Sequence, residues 1–222
     1  EYRDNDLYAI DPHTGTHDVQ IINNTIHDNP AAIVCSLDCQ RITFENNTIY
    51  NNSGPGIFFS RNTQDSIARY NTIYNQSIGI GFSESPNNEV YGNNITLTGR
   101  AVFLGDPEDM DDGLTTNNRI YNNTISDTSV GIATFRTTGN TLADNHFHNI
   151  AMANYRLNGS SSVMIENQAF DNTTIEGQFG ENTVNIMNSG VIQIGGTNID
   201  TGSQYAARLS NQTLTVSSVP RE

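Results

Sequence analysis

NNTIHDN (23–29), NNTIYNN (46–52) and YNTIYNQ (70–76) are variants of one phrase. The phrase returns as GNNITLT (92–98), NNTISDT (122–128), DNHFHNI (144–150) and NQAFDNT (167–173). Its apolar anchors are Ile26, Ile49, Ile73, Ile95, Ile125, Phe147 and Phe170, at intervals of 23, 24, 22, 30, 22 and 23 residues. A period of this size marks a stacked-repeat architecture, in which each unit buries its apolar face only against its neighbours. Between anchors lies a second apolar stretch, such as AAIVCS, GIFFS, GIGFS, AVFLG and GIATF. A third short run follows after a polar turn, as in RITFE, SIARY and NEVYG. No segment holds a 3.6-residue period over ten residues, so helices are excluded. Three short strands per repeat, with Gly and Asn at the corners, predict the coils of a parallel β-helix. The corner Asn residues tolerate left-handed backbone and can stack their amides from coil to coil.

Composition agrees. The chain has 222 residues, 35% of them apolar, which suits one domain spanning residues 1–222. Its 31 Asn and 18 Gly suit a chain that turns often. The formal net charge is −14, and all ten basic residues are Arg. Such a surface disfavours nucleic acid, whose binding rests on phosphate neutralisation, and offers no basic membrane-binding face. No apolar run nears the roughly 18 residues of a spanning helix. Cys35 and Cys39 fit either a disulfide across a tight turn or two buried thiols, and no metal-ligand spacing occurs. Nine N-x-S/T sequons follow from the NNT phrase itself and need no glycosylation to explain them.

The 30-residue interval holds an insertion, GDPEDMDDGLTT (105–116). Its Asp106, Glu108, Asp109, Asp111 and Asp112 could form a Ca²⁺ loop or a lid. A solvated turn is favoured, because the EF-hand pattern is absent. Beyond Phe170 the repeat decays. TVNIM, VIQIG and TLTVSS there still read as strands of terminal coils or an end cap.

Chemistry concentrates in YAIDPHTGTH, Tyr8 to His17. His13, Ser36 and Ser60 each stand 13 residues before an anchor, so they share one column along the axis. Thr14, Leu37, Arg61 and Ser83 fall in the next column, and Asp38, Asn62 and Glu84 in the one after. Asp11 aligns with Val34 and Phe58, on the same strand face as His13. With coils about 4.8 Å apart, Arg61 lies roughly 10 Å along the axis from His13. A bare Asp-Pro-His is more often a turn than a site, and an Arg at a coil corner is commonly solvated. His27, His146 and His148 flank anchors and read as coil-edge packing.

YAIDPH resembles the Tyr-Gly-Phe-Asp-Pro-His signature of the mannuronan C5-epimerases. The likeness extends through THDVQIINNTIHDN, GIFFSRNTQDSIARYNTIYN and GIGFSESPNNEVYGN, and covers about residues 5–150. It implies a right-handed parallel β-helix, secreted, periplasmic or on the cell surface. It also implies a monomer acting on an anionic polyuronate without a required cofactor. In that family's chemistry a proton leaves C5 of a uronate and another returns to the opposite face. The match makes His13 the base and Tyr8 a candidate acid or a partner of the acid. Asp11 would orient His13 or hold a proton against the substrate carboxylate, and Arg61 would neutralise that carboxylate. His17, Ser36, Asp38, Ser60, Asn62 and Glu84 are the expected substrate contacts. The sequence departs at Leu37, where bacterial periplasmic members carry a neutralising Arg. It also lacks any Lys, which other epimerases draw from an upstream coil. A polysaccharide lyase and a non-catalytic carbohydrate-binding β-helix are the alternatives. A hydrolase is disfavoured, because no column presents clustered aspartates.

Overall fold

A computed structural model describes residues 1–105, 115–168, 170, 172–188, 191–194, 196–200 and 204–218. The acidic residues Asp106, Glu108, Asp109, Asp111 and Asp112 lie outside these. The described secondary structure is strand alone, wound into a solenoid of about seven turns.

Through His148, each coil carries strand on three faces. A groove-face strand (Ala31–Ser36, Pro55–Ser60, Val130–Phe135, Ala153–Asn158) leads into a second-face strand (Thr43–Glu45, Ile67–Arg69, Glu89–Tyr91, Arg119–Tyr121). A third-face strand follows (Thr25–His27, Thr48–Tyr50, Thr124–Ser126). In two coils the third-face strand runs unbroken around the corner into the next groove-face strand, as Thr72–Ser83 and Asn94–Gly105. All pairing between successive coils is parallel through Gln178 on the groove face and Met187 on the second face.

The anchors stack as their spacing predicts. Ile26 pairs with Ile49, Ile49 with Ile73, Ile73 with Ile95, Ile95 with Ile125, and Ile125 with Phe147. The five isoleucines are fully buried, each stabilising the fold by about 1.5–3 kcal/mol relative to exposure. Two more apolar columns complete the interior. One runs Ile33, Ile57, Ile80, Val102, Ile132 and Tyr155; the other Phe44, Ala68, Val90, Ile120, Leu142 and Ile165.

Asparagine does two jobs at the corner between the second and third faces. The first residue of the corner takes a left-handed backbone, as at Asn23 (φ 59°), Asn46 (φ 53°) and Asn122 (φ 54°). The next residue turns its amide inward and joins a ladder. Backbone N–H groups of Asn24, Asn47, Asn71 and Asn93 donate to the side-chain oxygens of Asn47, Asn71, Asn93 and Asn123, at 2.9–3.0 Å. Each side-chain NH₂ also reaches the following amide oxygen or a carbonyl of the preceding coil, as when Asn71 donates to Phe44 O at 3.0 Å. The buried amides of this ladder are thereby satisfied.

The C-terminal runs adopt a different pairing. Thr173–Gln178 pairs antiparallel with Gln212–Ser218, and Asn182–Met187 antiparallel with Tyr205–Leu209. These strands cover the sheet edges left by the last parallel coils, which would otherwise expose unpaired backbone groups. The open choice for Cys35 and Cys39 also closes: both are buried thiols, not a disulfide. Burial pushes the Cys35 thiol far above its usual range.

Candidate active site on the groove face

Three outward columns build the groove face. The first holds Tyr8, Ala31, Pro55 and Ile78. The second holds Asp11, Val34, Phe58 and Gly81, and the third His13, Ser36, Ser60 and Ser83. A cleft of about 410 Å³ opens over them, lined by Tyr8, His13, Val34, Ser36, Phe58, Ser60 and Arg61, with Ala31, Pro55 and Ile78 on its floor. Residues 53 positions apart in sequence, Tyr8 and Arg61, thus face one space because the coil period brings them there.

The His13 column matches its prediction, through the His13–Ser36 bridge and the Ser36–Ser60 pair. The next columns need correction. Ser83 pairs with Ser60 and so belongs to the His13 column. The Arg61 N–H donates to Ser83 O and the Asn62 N–H to Glu84 O, which places Glu84 beside Arg61 rather than beside Asn62. The physical reason is a turn one residue short between Ser83 and Glu89. Coils offset by 23 residues at Ser60 and Ser83 are offset by 22 at Ala68 and Val90. Counting back from Ile95 therefore slips by one.

His13 is exposed at the end of the motif, on a tight turn. Thr14 (φ 42°) and Gly15 (φ 70°) both adopt left-handed backbone there. Glycine suits that conformation, and threonine takes it only under local constraint. Thr14 Oγ1 lies 2.6 Å from His13 Nδ1, which fixes the ring from one side. Thr16 closes the turn by donating to His13 O at 2.6 Å and accepting from the His13 N–H at 3.2 Å. Below it, the Cys39 thiol donates to Pro12 O at 3.4 Å and to Ser36 O at 3.3 Å. A buried thiol thus props the turn that carries the imidazole.

The other expected contacts divide. Ser36 and Ser60 line the cleft. Asp11 is exposed on the groove face, in the column of Val34 and Phe58, but is not among the lining residues. Asn62 Nδ2 donates to Asp38 Oδ1 at 2.7 Å, so these two hold each other at the corner beyond the cleft. His17 sits on the far side of the turn. Its Nδ1 lies 2.8 Å from Asp18 Oδ2, and Asp18 also accepts from Arg41 Nε at 2.7 Å. Arg41 is the larger cause that holds the Asp18 carboxyl well below the usual range, with His17 adding to it.

Sequence reasoning missed the apolar platform. Val34, Phe58 and Ile78 lie in apolar runs that do not say which members face out, and they line the cleft. Their signal was available in the column assignment, since Asp11 shares a position with Val34 and Phe58. Gly81 belongs with them. A Cβ there would come within 2.5 Å of Phe58 Cδ2, so its absence lets the Phe58 ring lie flat across the next coil. Aromatic and aliphatic faces beside a few polar groups are what sugar rings and other small ligands pack against. Among the described residues, no three His, Cys, Asp or Glu side chains are grouped to hold a metal ion.

The coils and their groove define a right-handed parallel β-helix protein. The model of the right-handed β-helix region matches residues 8–169, and the chain belongs to that family. It is similar to mannuronan C5-epimerases of Pseudomonas putida and Pseudomonas syringae pv. tomato. Each is 35% identical over 97 residues, a match covering 42% of this chain and 19% and 18% of those proteins respectively. The match therefore spans under a fifth of the length of these relatives. The crystal structure of the periplasmic alginate epimerase AlgG superposes with a TM-score of 0.51 and 21% identity, over 74% of this chain and 43% of that one. That likeness is one of fold.

Proposed function

We propose that this chain epimerises a polyuronate, mannuronate to guluronate or a similar pair, by exchanging the proton at C5. One observation carries the reading: Tyr8 and His13 from the first coil and Arg61 from two coils on line one cleft together with an apolar platform. The similarity to epimerases supplies the substrate class.

The steps follow from acid–base chemistry. A C5 proton is acidic only if the adjacent carboxylate is neutralised, because its removal otherwise creates a dianion. The Arg61 guanidinium supplies positive charge and donors toward that carboxylate. His13 takes the C5 proton, and the electron pair delocalises into the carboxyl group as an enediolate. Tyr8 donates a proton to the opposite face, and water returns the protons to their starting groups. No bond of the polymer breaks and no co-reactant is consumed. General acid and base groups of this kind contribute about 10²–10⁴-fold each. Ser36 and Ser60 offer hydroxyls to the sugar, and the platform packs its ring. Such a substrate places the protein in the periplasm or outside the cell.

The test is polymannuronate incubated with the protein in deuterated water and followed by proton NMR. Deuterium at C5 together with guluronate signals supports epimerisation. Unsaturated ends, read by ultraviolet absorbance, would instead identify a lyase, which shares the first proton transfer and then eliminates the glycosidic oxygen. Binding with neither product would leave a non-catalytic carbohydrate-binding β-helix.

A further inference from the structure

The corner that follows each groove-face strand is left-handed in every described coil from the second onward. It is occupied by Leu37 (φ 64°), Arg61 (φ 49°), Glu84 (φ 51°), Arg136 (φ 54°), Gly159 (φ 60°) and Phe179 (φ 58°). Glycine or asparagine would take this conformation at least cost. Apart from Gly159, the chain instead carries larger, chemically distinct side chains at this corner. Arg61 is one of them, and Arg136 is its counterpart farther along the axis. Ser60 pairs with Ser83, Phe82 with Leu104, and Gly105 with Phe135, so Phe135–Arg136 lies three coils beyond Ser60–Arg61.

A second cleft, of about 520 Å³, opens at that place and is lined by Phe135, Arg136, Gly159 and Phe179. Gly159 sits between the two larger corners, its missing Cβ position 3.6 Å from Phe179 O and 3.7 Å from Arg136 Cγ, so no side chain of its own enters the cleft. Phe179 is 68% exposed, an unusual setting for a phenylalanine. Glu176, close to Phe179 along the chain, is engaged by Arg156 at 2.9 Å. Two aromatic faces and a guanidinium around an open space match a carboxylated pyranose: the rings pack the sugar and the cation meets the acid.

We propose that Phe135, Arg136, Gly159 and Phe179 form a second uronate subsite. It grips the polymer three coils, roughly 14 Å, from Arg61. This rests on the polyuronate reading of the first cleft. A 1,4-linked pyranose advances a chain by about the rise of one coil, so the subsite is reached by a long oligomer and not by a short one held at His13.

Calorimetric titration of the full chain with mannuronate trimer and octamer tests this. The wild type should bind octamer more tightly than trimer. Arg136→Asn and Phe179→Asn, both suited to left-handed backbone, should each weaken octamer binding by about tenfold and leave trimer binding and C5 exchange on trimer unchanged. A neutral 1,4-linked mannose octamer should gain nothing from the subsite. Unaltered octamer affinity in both variants, with unchanged melting temperatures, overturns the subsite and leaves the polyuronate reading standing. Equal affinity for the neutral octamer overturns the carboxylate assignment. Failure of the wild type to bind either uronate oligomer overturns the polyuronate reading and the subsite with it.

Discussion

The interior columns and the groove-face columns are made by the same coils and obey opposite rules. Inside, the chemistry repeats: the apolar columns stay apolar, with isoleucine on isoleucine from Ile26 to Ile125, and asparagine stands on asparagine from Asn24 to Asn145. Outside, chemically different residues share a column, as His13 stands above Ser36, Ser60 and Ser83, and Leu37 is followed by Arg61 and Glu84. Repetition reflects a constraint common to all coils, which is burial without voids or unsatisfied amides. Variation at a fixed backbone position escapes that constraint, and it is where chemistry can differ from coil to coil.

The contrast can be broken from either side. The largest effect is expected for His13→Gln, which should lower C5 exchange by about 10²–10⁴-fold and leave the melting temperature unchanged. Loss of folding in this variant, read by circular dichroism, would make His13 a structural residue. Next comes Ile73→Ala in the fully buried anchor column, which should cost about 2–5 kcal/mol in urea unfolding. Asn71→Leu follows. It removes one rung of the ladder, leaves the Asn47 amide without its partner, and should cost about 1–3 kcal/mol. A near-neutral Asn71→Leu would mean that the ladder sets register rather than stability.

The smallest effect concerns pH. His27 stacks on Tyr50 at 4.7 Å between ring centroids and contacts Asp28 Oδ2 at 2.6 Å and Glu1 Oε1 at 3.0 Å. Asp28 first, then Glu1, raise its pKa above the ordinary 6.5. A raised folded-state value means the contribution is complete below 6.5 and fades as pH rises through the raised value. Melting temperatures measured across that window should fall for the wild type and stay flatter for His27→Gln. Parallel curves would remove His27 from the account.

How much of this was legible in the sequence depends on whether a feature repeats. The anchors announce themselves because each coil restates them, and the His13 column followed because the first coils keep their length. The Ser83 and Glu84 register was illegible, since a single shortened turn after Ser83 carries no local signature. The apolar platform was hidden for another reason. Phe58 and Ile78 sit in runs where every residue is apolar, and such a run does not say which members face out. TVNIM and TLTVSS were readable as strands, but their pairing direction depends on partners far along the chain. His146 and His148, expected to pack at the coil edge, stand exposed on either side of Phe147.

The central claim is that the groove face does proton chemistry while the interior only holds it in place. Solvent deuterium at C5 of polymannuronate, compared between wild type and His13→Gln at equal folded concentration, tests it most directly. The wild type should incorporate deuterium and the variant should lose nearly all of it, with both proteins melting alike. Incorporation at equal rates in the two would contradict it.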